Sequence, residues 1–253
     1  MRLSDFTEIN PCEKLPKGTM SKKISMDQIE PHTKYVSNYS IEPYLGGAKF
    51  RNGDTIMARI TPCLENGKTA YVSILDNNVV GFGSTEYIVF RARDGISCPD
   101  FIYYLTISSL VREPAIKSMV GSSGRQRVQQ SVIEELEIPD FSLSDQQHIV
   151  DILGSIDEKI ENNRLIQQGL IAYGLKIFEN RSCQSKTDHS FGELFSFING
   201  FSFKSTDYKE TGKYKVITIK NITDNGFNSD NADKIIAILL QKAGCLLETF
   251  CSL

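Results

Sequence analysis

The sequence predicts an α+β fold, in which a mixed α/β domain is followed by a long coiled-coil-like helix and a partial second globular segment. From Met1 to Ile138, short apolar runs alternate with turns rich in Gly, Asn, Asp and Pro, which is typical of a compact domain of strands and helices. After Ser144 the apolar residues take on helical spacing and keep it to about Asn180. A polar stretch and a second mixed segment follow this helix.

Three strands are predicted in the first domain, each rich in Ile, Val, Tyr or Thr: Thr55–Ile60, Thr69–Leu75 and Glu86–Arg91. A helix is predicted to begin at Cys98-Pro99, because proline suits the first helical turn, and we expect Pro114 to interrupt it. Its apolar residues, most of which we expect in the core, are Phe101, Leu105, Leu110 and Val111.

The long helix is predicted to begin at Ser144, because Ser144-x-x-Gln147 is a capping-box pattern. Its apolar residues follow 4-3-4 spacing and then resume in a shifted register: Ile149, Leu153, Ile156 and Ile160, then Ile166, Leu170, Tyr173 and Ile177. The stripe is therefore coiled-coil-like but broken. A helix of this extent would be roughly 55 Å long, and we expect these residues to bind a partner. The alternative is an ordinary amphipathic helix folded onto its own domain.

The patterns divide the chain into five segments. They are a first domain (1–141), a spacer or dimerisation helix (142–181), a polar linker (182–190), a partial second domain (191–234) and an apolar tail (235–253). The clearest strand of the partial domain is Tyr214–Ile219. A segment of this size with one clear strand is too small to fill its own core.

The overall charge does not predict a nucleic-acid partner. Lys and Arg number 28 and Asp and Glu 31, giving a net charge of −3, so any such binding must come from a local surface. From Gly46 to Arg127, ten basic and seven acidic residues give a local charge of +3.

The six cysteines lie far apart and form no C-x-x-C pair, so a structural zinc site is not expected. The N-terminus lacks an apolar signal core, and no apolar run reaches the roughly 18 residues that span a bilayer. These features predict a cytoplasmic location with free thiols and no membrane contact.

Motifs for nucleotide binding are incomplete. Gly67-Lys68-Thr69 is similar to the end of a phosphate-binding loop, but Pro62 occupies the position of the required first glycine. Gly81-Phe82-Gly83 begins a dinucleotide-binding pattern, but Glu86 replaces its last glycine and would repel a pyrophosphate. The sequence therefore predicts no cofactor.

A metal-dependent nuclease is an alternative, because Pro139-Asp140 followed by Asp157-Glu158-Lys159 satisfies a loose nuclease pattern. Residues two apart on a helix point about 200° away from each other, so Asp157 and Lys159 could not share one metal. His32, His148 and His189 are isolated, which gives no support for a nucleophilic triad. No catalytic or metal-binding residue is predicted.

Two polar loops favour recognition instead of catalysis. The first runs from Arg59 to Lys68 and carries Thr61, Glu65 and Asn66 between its terminal cations. The second is GSSGRQR, from Gly121 to Arg127, which combines flexible backbone with two arginines and a glutamine. Such side chains contact phosphates and base edges in DNA, although two solvated turns would have the same composition.

Several segments together resemble the DNA specificity subunit of type I restriction–modification systems. They are Asn52–Pro62 with Glu65–Lys68, Gly81–Tyr87, Gly124–Val128 leading to Ile138-Pro139, the helix start with Gln146, Gln147, Ile149 and Leu153, and Gly200 with Phe203–Ser205. The matching segments cover most of residues 1 to 230 and follow one another in the same order as in the family. It implies a target-recognition domain that reads half of a split DNA sequence, a spacer helix and a partial second target-recognition domain.

The resemblance also implies that double-stranded DNA, methyltransferase subunits and restriction subunits are the partners, and that this chain supplies no catalytic group. On this basis the candidate DNA contacts are Arg59, Thr61, Glu65, Asn66, Lys68, Ser84, Thr85, Arg125, Gln126 and Arg127. The rival hypothesis is a coiled-coil protein-interaction module that does not bind DNA.

The sequence departs from the family near Lys234, because the tail lacks the expected strand and Gly-Asp turn. We interpret this as a truncation within the second target-recognition domain. The product is then either a half-subunit that forms a homodimer through the long helix or an inactive protein.

Overall fold

The computed structural model describes residues 1–122, 124–183, 189–196, 203–223, 226–227, 229 and 232–235. The chain divides into two compact units, Met1–Phe178 and Glu179–Leu253. The described residues of the first unit contain eight strands: β1 (Thr7–Ile9), β2 (Met20–Ile24), β3 (Ser40–Pro43), β4 (Lys49–Phe50), β5 (Thr55–Ala58), β6 (Thr69–Tyr71), β7 (Gly81–Gly83) and β8 (Tyr87–Ala92). Its helices are α1 (Leu3–Phe6), α2 (Pro99–Ile107), α3 (Ser109–Lys117), α4 (Gln130–Glu134) and most of α5 (Leu143–Ser182), whose last four residues belong to the second unit.

The strands form two four-stranded sheets. The first has the order β1-β8-β5-β6 and is antiparallel throughout. The second has the order β3-β2-β7-β4, in which only the β2–β7 pair is parallel. Strand β5 is buried along its whole length, as expected of a central strand.

The three predicted strands correspond to β5, β6 and β8, but the first two are shorter than predicted. Strand β5 ends at Ala58 because the next pair, Arg59 and Glu86, keeps only one ladder bond: the Glu86 amide donates to the Oγ of Ser84, and the Arg59 carbonyl accepts from the amide of Val128. Strand β6 ends at Tyr71, whose amide donates to the carbonyl of Lys34. The remaining strands of this unit are too short or too mixed in pattern to give a clear periodic signal.

The predicted helix from Pro99 is two helices, and the prediction that Pro114 interrupts it is wrong. The break is at Ser108, whose backbone is extended and whose amide donates to the carbonyls of Tyr104 and Leu105. Pro114 lies inside α3. Because proline has no backbone N–H, one helical hydrogen bond is missing there, but the helix continues to Lys117. Phe101, Leu105 and Val111 are buried, as predicted for most of these apolar residues, whereas Leu110 is exposed.

Two apolar clusters form the core of the first unit. One places α1, α2 and α3 against the first sheet and includes Phe6, Phe90, Phe101 and Ile102. The other surrounds Ile24, Phe50, Ile56 and Val89, which come from both sheets. The two clusters hold the connecting loops of the first unit in defined positions.

Helix α5 has 40 residues and is therefore about 60 Å long. Its cap differs from the predicted one: the Oγ of Ser142 accepts a bond from the amide of Asp145 at 3.2 Å. The predicted cap, Ser144, is already inside the helix. Ser142 precedes the first helical residue, which is the position at which a serine oxygen can reach a free amide.

A polar stripe on the first half of α5 docks the helix on the domain. Gln146 is fully buried and bonds to the carbonyls of Ile96 and Phe141 and to the amide of Cys98. Further along, Asp157 accepts from the Tyr104 hydroxyl at 2.6 Å. Beyond Arg164, the described side chains of α5 are exposed.

The described residues of the second unit contain a short helix, α6 (Phe191–Leu194), and four strands, β9 (Tyr214–Val216), β10 (Ile222–Thr223), β11 (Gly226–Phe227) and β12 (Asp233–Ile235). Strand β9 pairs with β12 and β10 pairs with β11, both antiparallel. The predicted strand Tyr214–Ile219 ends at Val216, since Ile219 begins a 3₁₀ turn. Gly200 and the predicted tail beyond Ile235 lie outside the described residues.

Candidate functional site

Three segments that are far apart in sequence meet at one surface of the first unit: 59–61, 84–86 and 125–127. The amide of Arg59 donates to the carbonyl of Glu86 at 2.9 Å. Thr61 and Gln126 exchange two bonds, from the Thr61 amide to the Gln126 carbonyl and from the Gln126 amide to the Thr61 Oγ1, both at 3.0 Å. We call this surface the arginine face, because Arg59, Arg125 and Arg127 all belong to it.

The loop that carries Arg125 and Arg127 is held at both ends. Arg127 and Val120 exchange backbone bonds at 2.9 and 3.1 Å, and the amide of Val128 donates to the carbonyl of Arg59 at 2.8 Å. Gly121 has a φ of 140°, and a Cβ there would lie 2.9 Å from the carbonyl oxygen of Arg125. A residue with a side chain could not make this turn without strain.

Arg127 forms a fork-shaped ion pair with Glu86. Its Nε lies 2.9 Å from both carboxylate oxygens, and its Nη2 donates to Oε1 at 2.6 Å. The hydrogen bonds from Arg127 hold the pKa of Glu86 below its usual value, although burial acts in the opposite direction. Glu86 is therefore a carboxylate at neutral pH.

Arg59 lies deeper than the other two arginines. Its Nη2 donates to the carbonyl of Val128 at 3.1 Å, and its buried Nε has no partner among the described residues. The side chain lines an open groove of about 350 Å³ together with Lys49, Thr85 and Tyr87. This groove therefore has two cationic residues in its wall.

The turn with Ser84 and Thr85 is held against the loop at Gly47. A Cβ at Gly47 would lie 1.9 Å from the carbonyl oxygen of Gly83, and Gly47 has a φ of 108°. Only glycine fits this approach. Thr85 is exposed at the tip, whereas the Oγ of Ser84 accepts from the amide of Glu86 at 3.1 Å.

The residues predicted to contact DNA differ in exposure and in whether their side chains are already hydrogen-bonded within the protein. Arg125 is exposed, and its side chain makes no hydrogen bond or ion pair to the described part of the chain. Thr61 is buried, and its hydroxyl oxygen accepts from the Gln126 amide. Thr61 therefore shapes the loop, whereas Arg125 can contact a ligand directly.

Glu65, Asn66 and Lys68 lie on a separate turn. The Nη2 of Arg112 donates to the carbonyl of Glu65 at 2.8 Å, and the Lys68 amine donates to the carbonyl of Met26 at 2.7 Å. Asn66 is exposed, and its amide donates to the carbonyl of Pro62. No side-chain bond within the described ranges joins this turn to the Ser84–Glu86 turn or to the Arg125–Arg127 loop.

The predicted partner-binding residues of α5 are mostly exposed. Ile149 packs against the core, but the other seven are between 38% and 67% exposed: Leu153, Ile156, Ile160, Ile166, Leu170, Tyr173 and Ile177. The second stripe lies about a quarter turn around the helix from the first. Six further exposed large apolar residues on α5 were not predicted: Leu143, Ile152, Leu165, Ile171, Leu175 and Phe178.

Glu86 is the candidate residue that sequence reasoning missed. It is the first residue of the predicted strand Glu86–Arg91, but its pairing with Arg127 spans 41 positions and leaves no periodic signal. The described residues contain no group of three or more His, Cys, Asp or Glu side chains that could hold a metal ion. Within the same residues, no helix combines the length and hydropathy that crossing a bilayer requires.

Comparison with known sequences identifies a family. A family model described as the type I restriction modification DNA specificity domain matches residues 1–170. The specificity subunit of the type I restriction enzyme EcoAI of Escherichia coli is 35% identical over 105 residues, which are 42% of this chain and 18% of that protein. The specificity subunit of the HindI enzyme of Haemophilus influenzae is 29% identical over 149 residues, 57% of this chain and 31% of that protein.

Solved structures share the fold. The HsdS subunit of Thermoanaerobacter tengcongensis matches with a TM-score of 0.50 and 18% identity, over 93% of this chain and 64% of that one. A chain from a study of complex assembly and conformational transition of the type I R-M system matches with a TM-score of 0.50 and 17% identity, over 88% and 62%. The chain thus spans less than two thirds of each of these relatives.

Proposed function

Because the chain belongs to the type I restriction–modification DNA specificity family, we propose that it is a sequence-specific DNA-binding subunit that directs methyltransferase and restriction subunits to a bipartite site. The observation that carries this proposal is the convergence of Arg59, Arg125 and Arg127 on the arginine face. A cluster of cations with two exposed members, Arg125 and Arg127, beside polar turns can neutralise phosphates and reach base edges.

The arginine face supplies both kinds of contact that specific DNA binding needs. Arg125 is free and suits a phosphate, for which position matters less than charge. Arg127 is fixed by Glu86 and suits a base edge, for which orientation matters. Thr85 and Gln126 border these arginines and can add hydrogen bonds. Glu65, Asn66 and Lys68 would act from a second, neighbouring turn.

The proposed role needs no catalytic group and no cofactor in this chain. The nuclease alternative loses its geometric basis, because Asp157 accepts from the Tyr104 hydroxyl and lies on the side of α5 that docks on the domain. Methylation and cleavage would come from the other subunits. We place the chain with them in the cytoplasm.

Helix α5 would provide the docking surface for the other subunits and for an equivalent helix. Its apolar side chains from Leu153 to Phe178 remain largely exposed on the domain that carries them, and exposed apolar patches of this kind mark interaction sites. We propose that a second copy of the chain packs along this face, which would place two recognition domains on one split site. Light scattering coupled to size exclusion should give a dimer mass. A monomer at micromolar concentration would contradict this pairing.

The experiment that tests DNA binding is a titration of the full chain with duplex DNA over a range of salt concentrations. Binding through phosphates weakens steeply as salt rises, because condensed counterions are released. The rival, a protein-interaction module without DNA binding, predicts no such complex. A folded chain that binds no duplex at low salt would refute the proposed function of this chain in isolation.

A further inference from the structure

The ion pair between Arg127 and Glu86 uses only one edge of the guanidinium. A guanidinium offers two edges for paired bonds, one formed by Nε and Nη2 and the other by the two terminal nitrogens. Arg127 donates to Glu86 from Nε and Nη2. Its Nη1 makes no bond to any described residue, so the terminal edge can bind something else.

The backbones of both residues are fixed. Arg127 exchanges two backbone bonds with Val120 and forms a bridge with Ile60. Glu86 accepts the Arg59 amide at its carbonyl and donates its own amide to the Oγ of Ser84. Hydrogen bonds thus fix the backbone of both members of the ion pair.

The two side chains also differ in depth. The Glu86 side chain is 22% exposed and the Arg127 side chain is 49% exposed. Arg127 is therefore the more exposed member of the pair and can be reached by a ligand. Arg125, two residues away, has no comparable support from the described residues.

We propose that Glu86 is a positioning residue that holds Arg127 with its terminal edge directed at a guanine in the major groove. This inference rests on the proposed function. Guanine presents two acceptors, O6 and N7, that match two parallel N–H donors, whereas adenine places a donor opposite the arginine. An arginine already held in one orientation also loses less conformational entropy when it binds.

A masking role for Glu86 gives the opposite expectation. If the carboxylate only blocked Arg127, its removal would free a cation and strengthen binding to all sequences alike. A purely structural role would lower stability without changing which base is preferred. The identity of the preferred base therefore distinguishes the three roles.

The test is selection of bound duplexes by the full chain from a pool of randomised sequence, followed by sequencing. Wild type is expected to select a motif that contains a guanine. Both Arg127→Ala and Glu86→Gln should lose that guanine and keep the rest of the motif. Affinity for the wild-type motif should fall on the order of 10- to 100-fold for Arg127→Ala, and by a smaller factor for Glu86→Gln.

Glu113→Gln is the matched control, because it also removes one surface carboxylate, which pairs with Lys117 on α3. It should leave the motif unchanged. If Glu86→Gln does not fold, Glu86→Asp replaces it in the test. The shorter side chain of aspartate cannot place its carboxylate where it pairs with Nε and Nη2 of Arg127, so this variant should show a weaker preference for guanine.

The inference is overturned if the folded Glu86 variant keeps the guanine preference, or if it binds all duplexes more tightly. A wild-type chain that selects no motif would instead refute the proposed function. Failure of the inference and failure of the function thus give different results.

Discussion

The hydroxyl of Tyr104 joins the interior of the first unit to the long helix. It donates to the carboxylate of Asp157 on α5 at 2.6 Å and lies 3.1 Å from the amine of Lys34. Lys34 is buried and also pairs with Asp100 at 2.7 Å. The helix is thus fixed to the domain by a chain of charged and polar contacts.

Tyr104→Phe should lower the free energy of unfolding by about 2 kcal/mol, because it removes two hydrogen bonds to charged groups. Urea denaturation monitored by circular dichroism measures this change. Tyr103→Phe is the matched control, since the Tyr103 hydroxyl makes no hydrogen bond to the described residues. Equal effects of the two exchanges would show that the Asp157 contact does not stabilise the helix.

Gln146→Ala should destabilise the chain by about 2–4 kcal/mol, because it leaves three backbone groups without their partner. Gln147→Ala should change stability by less than about 0.5 kcal/mol, since Gln147 is exposed and bonds only to Asp151 on the same helix. The comparison is made by measuring the midpoint temperatures of thermal unfolding of Gln146→Ala and Gln147→Ala. A larger loss for Gln147→Ala would contradict the docking arrangement of α5.

Arg91→Met should cost about 3–5 kcal/mol, because the buried carboxylate of Asp54 loses its paired cation and buried Glu13 keeps only Arg51. Arg91 bonds to Asp54 twice and to Glu13 once. The exposed residue Arg93, which bonds to the carbonyl of Ser4, gives the control Arg93→Met, with a much smaller expected effect.

The loss in free energy of unfolding that Arg91→Met causes should become smaller as the pH falls. Burial already raises the pKa of Asp54 with Arg91 present, and the loss of Arg91 should raise it further. A raised pKa means that the native state binds more protons than the unfolded state, so stability decreases as pH rises. Urea denaturation of wild type and Arg91→Met near pH 5 and pH 7 measures this pH dependence. A larger loss of stability at pH 5 than at pH 7 would contradict it.

Arg125→Ala should weaken binding of all duplexes to a similar degree and reduce the slope of log affinity against log salt by about one unit. The reason is that Arg125 is exposed and unsupported, as expected of a phosphate contact. Parallel titrations with duplexes of different sequence measure both quantities. Loss of affinity for one sequence alone would assign Arg125 to a base.

Sequence reasoning predicted the α+β class, the long helix and the family, because periodic patterns and local motifs carry that information. Gly81–Tyr87 and Gly124–Val128 were both identified as motifs, but nothing local shows that Glu86 and Arg127 meet. Helix ends were less accurate: Ser142 and Ser144 are equally suitable caps in composition, and only the structure shows that the Oγ of Ser142 accepts from the amide of Asp145. Tertiary contacts, which have no sequence period, account for most of the differences.

The most direct test of the proposed function is to co-express the full chain with the methyltransferase subunits that we propose as its partners and to map methylated bases across the host genome. We expect one recurrent split motif that is methylated only when the chain is present, and that becomes degenerate at one base pair with Arg127→Ala. A methylation pattern that is the same with and without the chain, while the chain co-purifies with the methyltransferase, would refute the proposed function.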